Sequence, residues 1–572
     1  MRLPPFATIA LIGFFAPGLA FAQEPPQQAS AEAPDPVDPG PPDLDGGSSY
    51  GLFLAGRAAM TGGDGRTAVG FLQGSLAESG GELILREAVF SAAILAGDIR
   101  AASQAGLVAG ESNPTLVEAQ SLAQITQALA EGRSREVYRV IRERPIQAPH
   151  QLAGRLIDRW LAADARDWDV ALAPVPETAD ALTRVVTGYY RALLLEHRRD
   201  FAEADAQYRA MLVDGTAAAM TRLPYGEFLE RRRRYGDAIA VYDAGLARGA
   251  DSGLEAARAR AASRGRPPSL MSIRQGAALA FSHSAGAADV SNLNEFVIAY
   301  LRMSLVLAPE NGEAWLILGE ALNDIGMPLT AREAWARTPQ GSAEYTAAQI
   351  RIAASLDEAG ETEAAARLAR QVADQAPGPA SAFTLAALLS SHEQYGEALA
   401  VLNSPSVVAV ENWNLEFLRG AAHERRGEHQ LAEDAFQRAL GLSPGQPEIL
   451  NYLGYMWVDR GERVEEGLAL IEQAVAAEPD NGNYQDSLGW ARYRQGRFEE
   501  AVTILERAVS VEPGSAVIND HLGDAYWQVD RRREAEFQWR RALTLDPTEA
   551  ERAAIEVKLA GHAPSGAESA RP

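Results

Sequence analysis

The pattern of apolar and polar positions divides the chain at about Ser48. From Gln23 to that point QEPPQQASAEAPDPVDPGPPDLDGGS has no apolar periodicity, and its Pro, Asp, Ala and Gly content predicts a disordered, extended tether. Beyond it, small residues recur at Gly319, Ala353, Ala386, Gly420, Gly454, Gly489 and Gly523, at intervals of 34, 33, 34, 34, 35 and 34. Seven residues after most of them stands a turn glycine, at Gly326, Gly360, Gly427, Gly461 and Gly496, with Asp530 in the last such place. Twelve residues after comes an alanine, at Ala331, Ala365, Ala398, Ala432, Ala501 and Ala535. The unit that starts at Gly454 has Gly467 and Pro479 each one place late, which a single inserted residue explains.

Each mark has a physical role in a unit of two antiparallel helices. The first small residue lets helix A approach helix B, and the alanine is the matching small surface on helix B. The glycine between them supplies the left-handed conformation that ends helix A. Proline at Pro377, Pro444, Pro479, Pro513 and Pro547 stops helix B. One such hairpin cannot bury its apolar face alone, so the units are expected to stack, each on its neighbours.

These marks resemble those of the tetratricopeptide repeat, most clearly in LNYLGYMWVDRG, DSLGWARYRQGRFEEAVTILERAVSVEP and DHLGDAYWQVDRRREAEFQWRRALTLDP. Two departures are Arg492, where the family usually places a large aromatic, and the unit around Ala386, which ends without proline. The resemblance implies an all-α, right-handed α-α solenoid of about fourteen helix pairs in two halves. Poorer units are marked upstream by Gly56 with Gly63 and Ala68, by Phe90 with Gly97 and Ala102, by Ile125 with Gly132, and by Ala192 and Gly226 with Ala204 and Ala238. A degenerate unit is expected around Trp160 and Trp168. The expected organisation is an amino-terminal array over 49–249, a joint over 250–275 where SRGRPPS breaks the pattern, a carboxyl-terminal array over 276–547, a capping helix over 548–560 and a loose tail over 561–572.

The first 22 residues, MRLPPFATIALIGFFAPGLAFA, have a basic start at Arg2, an apolar run from Phe6 to Phe15, a breaker at Pro17 and small residues at Ala20 and Ala22. They are expected to be a secretory signal cleaved after Ala22, the apolar run being too short to span a bilayer. The expected address is the periplasm.

Composition then narrows the chemistry. The net charge of −24 disfavours nucleic acid and anionic lipid as partners. With no cysteine there is no disulfide, no thiolate metal site and no lipid-modified cysteine anchor. The eight histidines include no pair at i, i+4 spacing, so no metal site is expected, and GGDG at 62–65 lacks the context of a phosphate loop. No catalytic residue and no cofactor is expected. Two arginine clusters, Arg231 to Arg234 and Arg531 to Arg533 with Arg540 and Arg541, either pair with neighbouring carboxylates or form a docking patch for an acidic partner.

In tetratricopeptide folds helix A lines a concave groove, and the resemblance carries the groove positions onto Asn414, Phe417, Asn451, Tyr455, Asn483, Asp486, Trp490, Tyr493, Asp520, Asp524 and Trp527. Amides and carboxylates there would bond a peptide backbone, and aromatic faces would bury its side chains; the other reading makes the tryptophans packing between units. The Lys and Asn clamp that holds a terminal carboxylate in some family members is absent, and Asp486, Asp520 and Asp524 would repel that anion. The implied function is a scaffold or adaptor for protein or extended-peptide partners. Similarity to bacterial envelope adaptors suggests presentation of substrates to an envelope protease. The alternatives are an assembly scaffold for an outer-membrane, polysaccharide or pilus system and, less favoured, an enzyme with a repeat array as its substrate arm.

Overall fold

The computed structural model describes residues 48–174, 179–213, 215–249, 252–287 and 293–561. The expected signal segment, nearly all of the tether and the tail beyond Gly561 lie outside these residues. Among them the chain forms 31 helices and no strand, and most of the helices follow one another in pairs, as the marks imply. Two compact units divide between Ser355 and Leu356.

The second unit is the more regular. Its helix A segments include Trp413–Arg425, Pro447–Asp459, Gly482–Arg494 and Ala516–Gln528, each followed by a helix B: His429–Leu442, Val464–Ala477, Phe498–Val511 and Arg532–Ala542. Helix starts are set locally. The Asn481 side chain accepts from the amides of Asn483 and Tyr484 at 3.1 and 3.3 Å, Asn412 does the same for Asn414 and Leu415, and Pro447 takes a first-turn place where no amide partner is needed. Helix ends are set by the turn position. Gly427, Gly461 and Gly496 have φ of 75°, 70° and 76°, and where glycine is missing the backbone keeps the same form, with Glu393 at 59° and Asp530 at 61°. Holding a side chain there costs about 1 kcal/mol, so the units without glycine adopt the turn because packing on either side dictates it.

That packing is asymmetric. Helix Phe498–Val511 buries a narrow stripe, Ala501, Val502, Leu505 and Ala508, and leaves the rest to water. Helix Gly482–Arg494 lies between neighbours and buries Tyr484, Gln485, Asp486, Ser487, Gly489, Trp490 and Ala491. Each fully buried Leu such as Leu505 contributes about 1.5–3 kcal/mol. The small residues do what their spacing implied: a Cβ on Gly489 would stand 2.6 Å from Leu505 Cγ, and on Gly420 2.7 Å from the Phe436 ring. The displaced mark at Gly467 is where two backbones meet, because a Cβ on Gly454 would lie 2.6 Å from the Gly467 carbonyl oxygen.

The first unit follows the same local rules, with arginine in place of glycine at several turns. Gly63, Gly97 and Gly132 occupy left-handed turns with φ of 79°, 80° and 76°, and Arg166, Arg199 and Arg233 hold the equivalent turns at 66°, 67° and 60°. The expected joint, 250–275, lies inside this unit. It contains a further helix, Ser252–Ala262, closed by Arg264 at φ 54° and followed by a stretch without regular structure up to helix Ile273–Gly286. Contacts in this unit are not confined to sequence neighbours. Helix Ile273–Gly286 packs on Gln151–Asp164, with Gly276 against the buried Trp160 ring, and helix Leu293–Leu307 packs on Leu83–Ala96 and Pro114–Ala130. Arg302 donates to the Leu95 carbonyl at 2.6 Å, His150 Nδ1 lies 2.7 Å from the Tyr300 hydroxyl, and Thr330 donates to the Gly63 carbonyl. Burial pushes the His150 and His283 imidazoles down to about 4, so both stay neutral at physiological pH.

Candidate functional site

The eleven groove positions fall on four consecutive helices A of the second unit, and these helices contact one another directly, Pro447–Asp459 with Gly482–Arg494 and Gly482–Arg494 with Ala516–Gln528. The side chains divide into two sets. Phe417, Asn451, Tyr455, Asp486, Trp490 and Asp520 are buried, whereas Asn414, Asn483, Tyr493, Asp524 and Trp527 are partly exposed.

The buried aromatics act between units. Phe417 meets Tyr452 edge-on at 5.0 Å and Phe436 at 5.7 Å, and Tyr455 clusters with Trp490. Trp490, only 5% exposed, is stacked on both faces: Tyr493 lies at 4.7 Å and 8°, His521 at 4.2 Å and 17°. Its indole N–H donates to Asp459 Oδ1 at 3.2 Å. Asn451 Oδ1 is buried without a hydrogen-bond partner. The aromatic surface left to a ligand is therefore that of Tyr493 and Trp527. Trp527 is already flanked by Trp539 at 5.5 Å and by the Arg532 guanidinium 3.8 Å above its ring.

The polar positions are joined in a ladder. Helix A residues of adjacent units bond at a separation of 35: Asp459 with Arg494 at 3.2 Å, Asp486 with His521 at 2.9 Å, Tyr493 with Gln528 at 3.2 Å, and earlier Asp357 with His392 at 3.0 Å. The first unit shows the same separation in Glu196 with Arg231 at 2.7 Å and Gln275 with Glu310 at 2.6 Å. Where the repeat is 34, as for Asp486 with His521 and Tyr493 with Gln528, residues 35 apart stand one repeat and one position apart on neighbouring helices A. Burial alone would lower the His521 pKa, but Asp486, then Asp520 and Asp524, outweigh it and raise the imidazole above its ordinary value of 6.5. Asn483 reaches Glu512 at 3.2 Å.

Asp520 and Asp524 receive a partner that sequence reasoning missed. Lys558, on the terminal helix Glu549–Gly561, places Nζ 2.7 and 2.8 Å from the two Asp520 oxygens and 2.7 Å from Asp524 Oδ2. Trp539 donates its indole N–H to the other Asp524 oxygen at 3.0 Å. The signal for Lys558 was its being the only lysine in the chain; the signal for His521 was its separation of 35 from Asp486.

Both arginine clusters are largely engaged with their surroundings. Arg231 pairs with Glu196, Arg234 with Asp205 and Asp237, and Arg232 covers Phe201. Arg531 pairs with Glu506 and Glu534, Arg532 with Asp530, Arg540 with Glu536, and Arg541 donates to the Pro513 carbonyl. A cavity of about 650 Å³ in the first unit is lined in part by Arg133, Ser134, Asp164, Arg166, Trp168 and His197. Its polar groups bond partly to each other or to nearby chain, Arg133 to Glu131 and Glu136, Ser134 to Asp164, and His197 to the Met271 carbonyl at 2.8 Å. Among the described residues no cluster of His, Asp or Glu could hold a metal ion, and no helix is long and apolar enough to cross a membrane.

A stack of helix pairs joined by an A-helix ladder defines an interaction scaffold. Residues 383–447 and 459–516 match the family model described as Tetratricopeptide repeat, so these two stretches carry that repeat. It is similar to the TPR repeat-containing protein PA4667 of Pseudomonas aeruginosa, with 30% identity over 156 residues, which are 27% of this chain and 26% of that relative. The chain thus spans about a quarter of the length of that curated relative. Among solved structures it is similar to the APC/C hetero-tetramer Cut9–Hcn1, at 13% identity over 90% of this chain and 96% of that one, with a TM-score of 0.39. A second is a tetratricopeptide repeat protein from Parabacteroides merdae, at 13% identity over 43% of this chain and 98% of that one, with a TM-score of 0.37.

Proposed function

We propose that this scaffold is a periplasmic adaptor that holds an extended protein segment along the helix A face of its second unit. The observation that carries the reading is the partly exposed row of Asn414, Asn483, Tyr493, Asp524 and Trp527 on helices whose neighbouring side chains are locked to one another. A face whose rotamers are already fixed loses little entropy when a ligand orders on it. Amides, a phenol and an indole are groups that bond a peptide backbone and cover its side chains. The carboxylates on that face favour a neutral or basic segment over an acidic one. The basic and apolar start of the sequence supports export, and presentation of the held segment to an envelope protease is the role most similar to that of envelope adaptors.

The test is affinity capture from an envelope fraction with the full chain and with an Asn483→Ala, Trp527→Ala variant of confirmed helicity. A partner retained by the parent and lost at least tenfold by the variant supports the reading. A partner retained equally by both overturns it.

A further inference from the structure

Along the second unit, carboxylates of the helix A face are met by basic side chains one unit further on: Asp459 by Arg494 and Asp486 by His521. At Asp520 and Asp524 the charge is supplied by Lys558, on helix Glu549–Gly561. The geometry is that of an ammonium site. Three oxygens converge on Nζ at 2.7–2.8 Å, Asp520 is 5% exposed, and the Trp539 ring centre lies 6.0 Å from the same nitrogen. An ammonium has three donors that can spread over such a set, whereas the planar fork of arginine matches a single carboxylate. Burial and the neighbouring Asp524 raise the Asp520 pKa, and Lys558 pulls it the other way.

The helix that delivers Lys558 buries little of its own surface. Of its thirteen residues only Ile555 is buried, Leu559 packs at the edge of the same cluster, and Val557 is 71% exposed.

We propose that Asp520 and Asp524 form a lysine subsite of the partner-binding face, closed in cis by Lys558, and that a lysine of the bound segment takes its place and undocks helix Glu549–Gly561. This rests on the reading of the helix A face given above and names one chemical feature of its ligand. A tethered competitor acts at an effective concentration of the order of millimolar, so the closed form filters out isolated lysines. A segment that also engages Asn483, Tyr493 and Trp527 can displace Lys558.

The probe is a fluorescent, amino-acetylated and carboxyl-amidated peptide with the sequence of Thr548–Gly561, together with the same peptide carrying norleucine in place of its lysine. Both are titrated into the full-length chain and its Lys558→Met variant, and into Lys558→Met combined with Asp520→Asn and Asp524→Asn. Lys558→Met is expected to bind the lysine peptide at least tenfold more tightly than the parent, the norleucine peptide at least tenfold more weakly than the lysine peptide, and the triple variant neither. In the parent, which needs no substitution to fold, saturating lysine peptide is expected to accelerate amide exchange in 549–561. Equal binding of the two peptides to Lys558→Met, or unchanged exchange in the parent, overturns the proposal. If that happens while a natural partner still depends on Asn483 and Trp527, the face reading stands and only the lysine subsite falls.

Discussion

His521 Nδ1 lies 2.9 and 3.0 Å from the two carboxylate oxygens of Asp486, one unit earlier, and both side chains are buried. Burial disfavours the imidazolium, but Asp486, with Asp520 and Asp524 beyond it, raises the His521 pKa above 6.5. A histidine bound more tightly to its proton in the folded than in the unfolded chain contributes stability that is fully present below 6.5 and is lost as pH rises through the folded value. Amide-exchange protection of helices Gly482–Arg494 and Ala516–Gln528 is therefore expected to fall as pH rises above 6.5, after correction for intrinsic exchange. His521→Gln, which takes up no proton, should flatten that dependence. A parent profile as flat as the variant's would contradict it.

Trp490 is a packing residue whose ring is closed on both faces by Tyr493 and His521. Trp490→Ala is expected to destabilise the second unit by about 3–5 kcal/mol, the usual cost of removing a buried large aromatic. Local exchange or denaturant titration of that unit measures it. Tyr493→Ala, at a half-exposed ring, should cost clearly less stability in the same measurement.

Gly454 and Gly489 occupy the same place in consecutive units but face different neighbours. A methyl on Gly489 meets the Leu505 side chain, which can rotate, whereas on Gly454 it meets the Gly467 carbonyl, which cannot move without its helix. Gly454→Ala is expected to cost about 1–3 kcal/mol and Gly489→Ala less, as judged by thermal unfolding followed by circular dichroism.

The helix-pair fold was legible because its marks are backbone requirements that only small residues and prolines satisfy. Gly420, Gly454, Gly489 and Gly523 could be read from spacing alone, and each has a helix B side chain or backbone against it. The first unit was harder to read because Arg166, Arg199 and Arg233 hold left-handed turns without the glycine that announces them. The packing of 273–307 onto 83–164 was invisible, since it depends on contacts such as Arg302 with Leu95 that follow no repeat. For the candidate site, spacing located the face but could not say which side chains it buries. Trp490 and Tyr493 sit three residues apart on one helix, and the presence of His521 on the next decides which of them is covered.

The central claim, that partners bind the helix A face of the second unit, is tested most directly by site-specific photo-crosslinking. A photoreactive phenylalanine is placed in the full chain at Asn414, at Asn483 or, as a control, at Leu431, which is half-exposed on helix B. Irradiation in cells followed by mass spectrometry is expected to give one common protein partner cross-linked at 414 and 483 and not at 431. Cross-links at 431 with none at 414 or 483 would contradict the account.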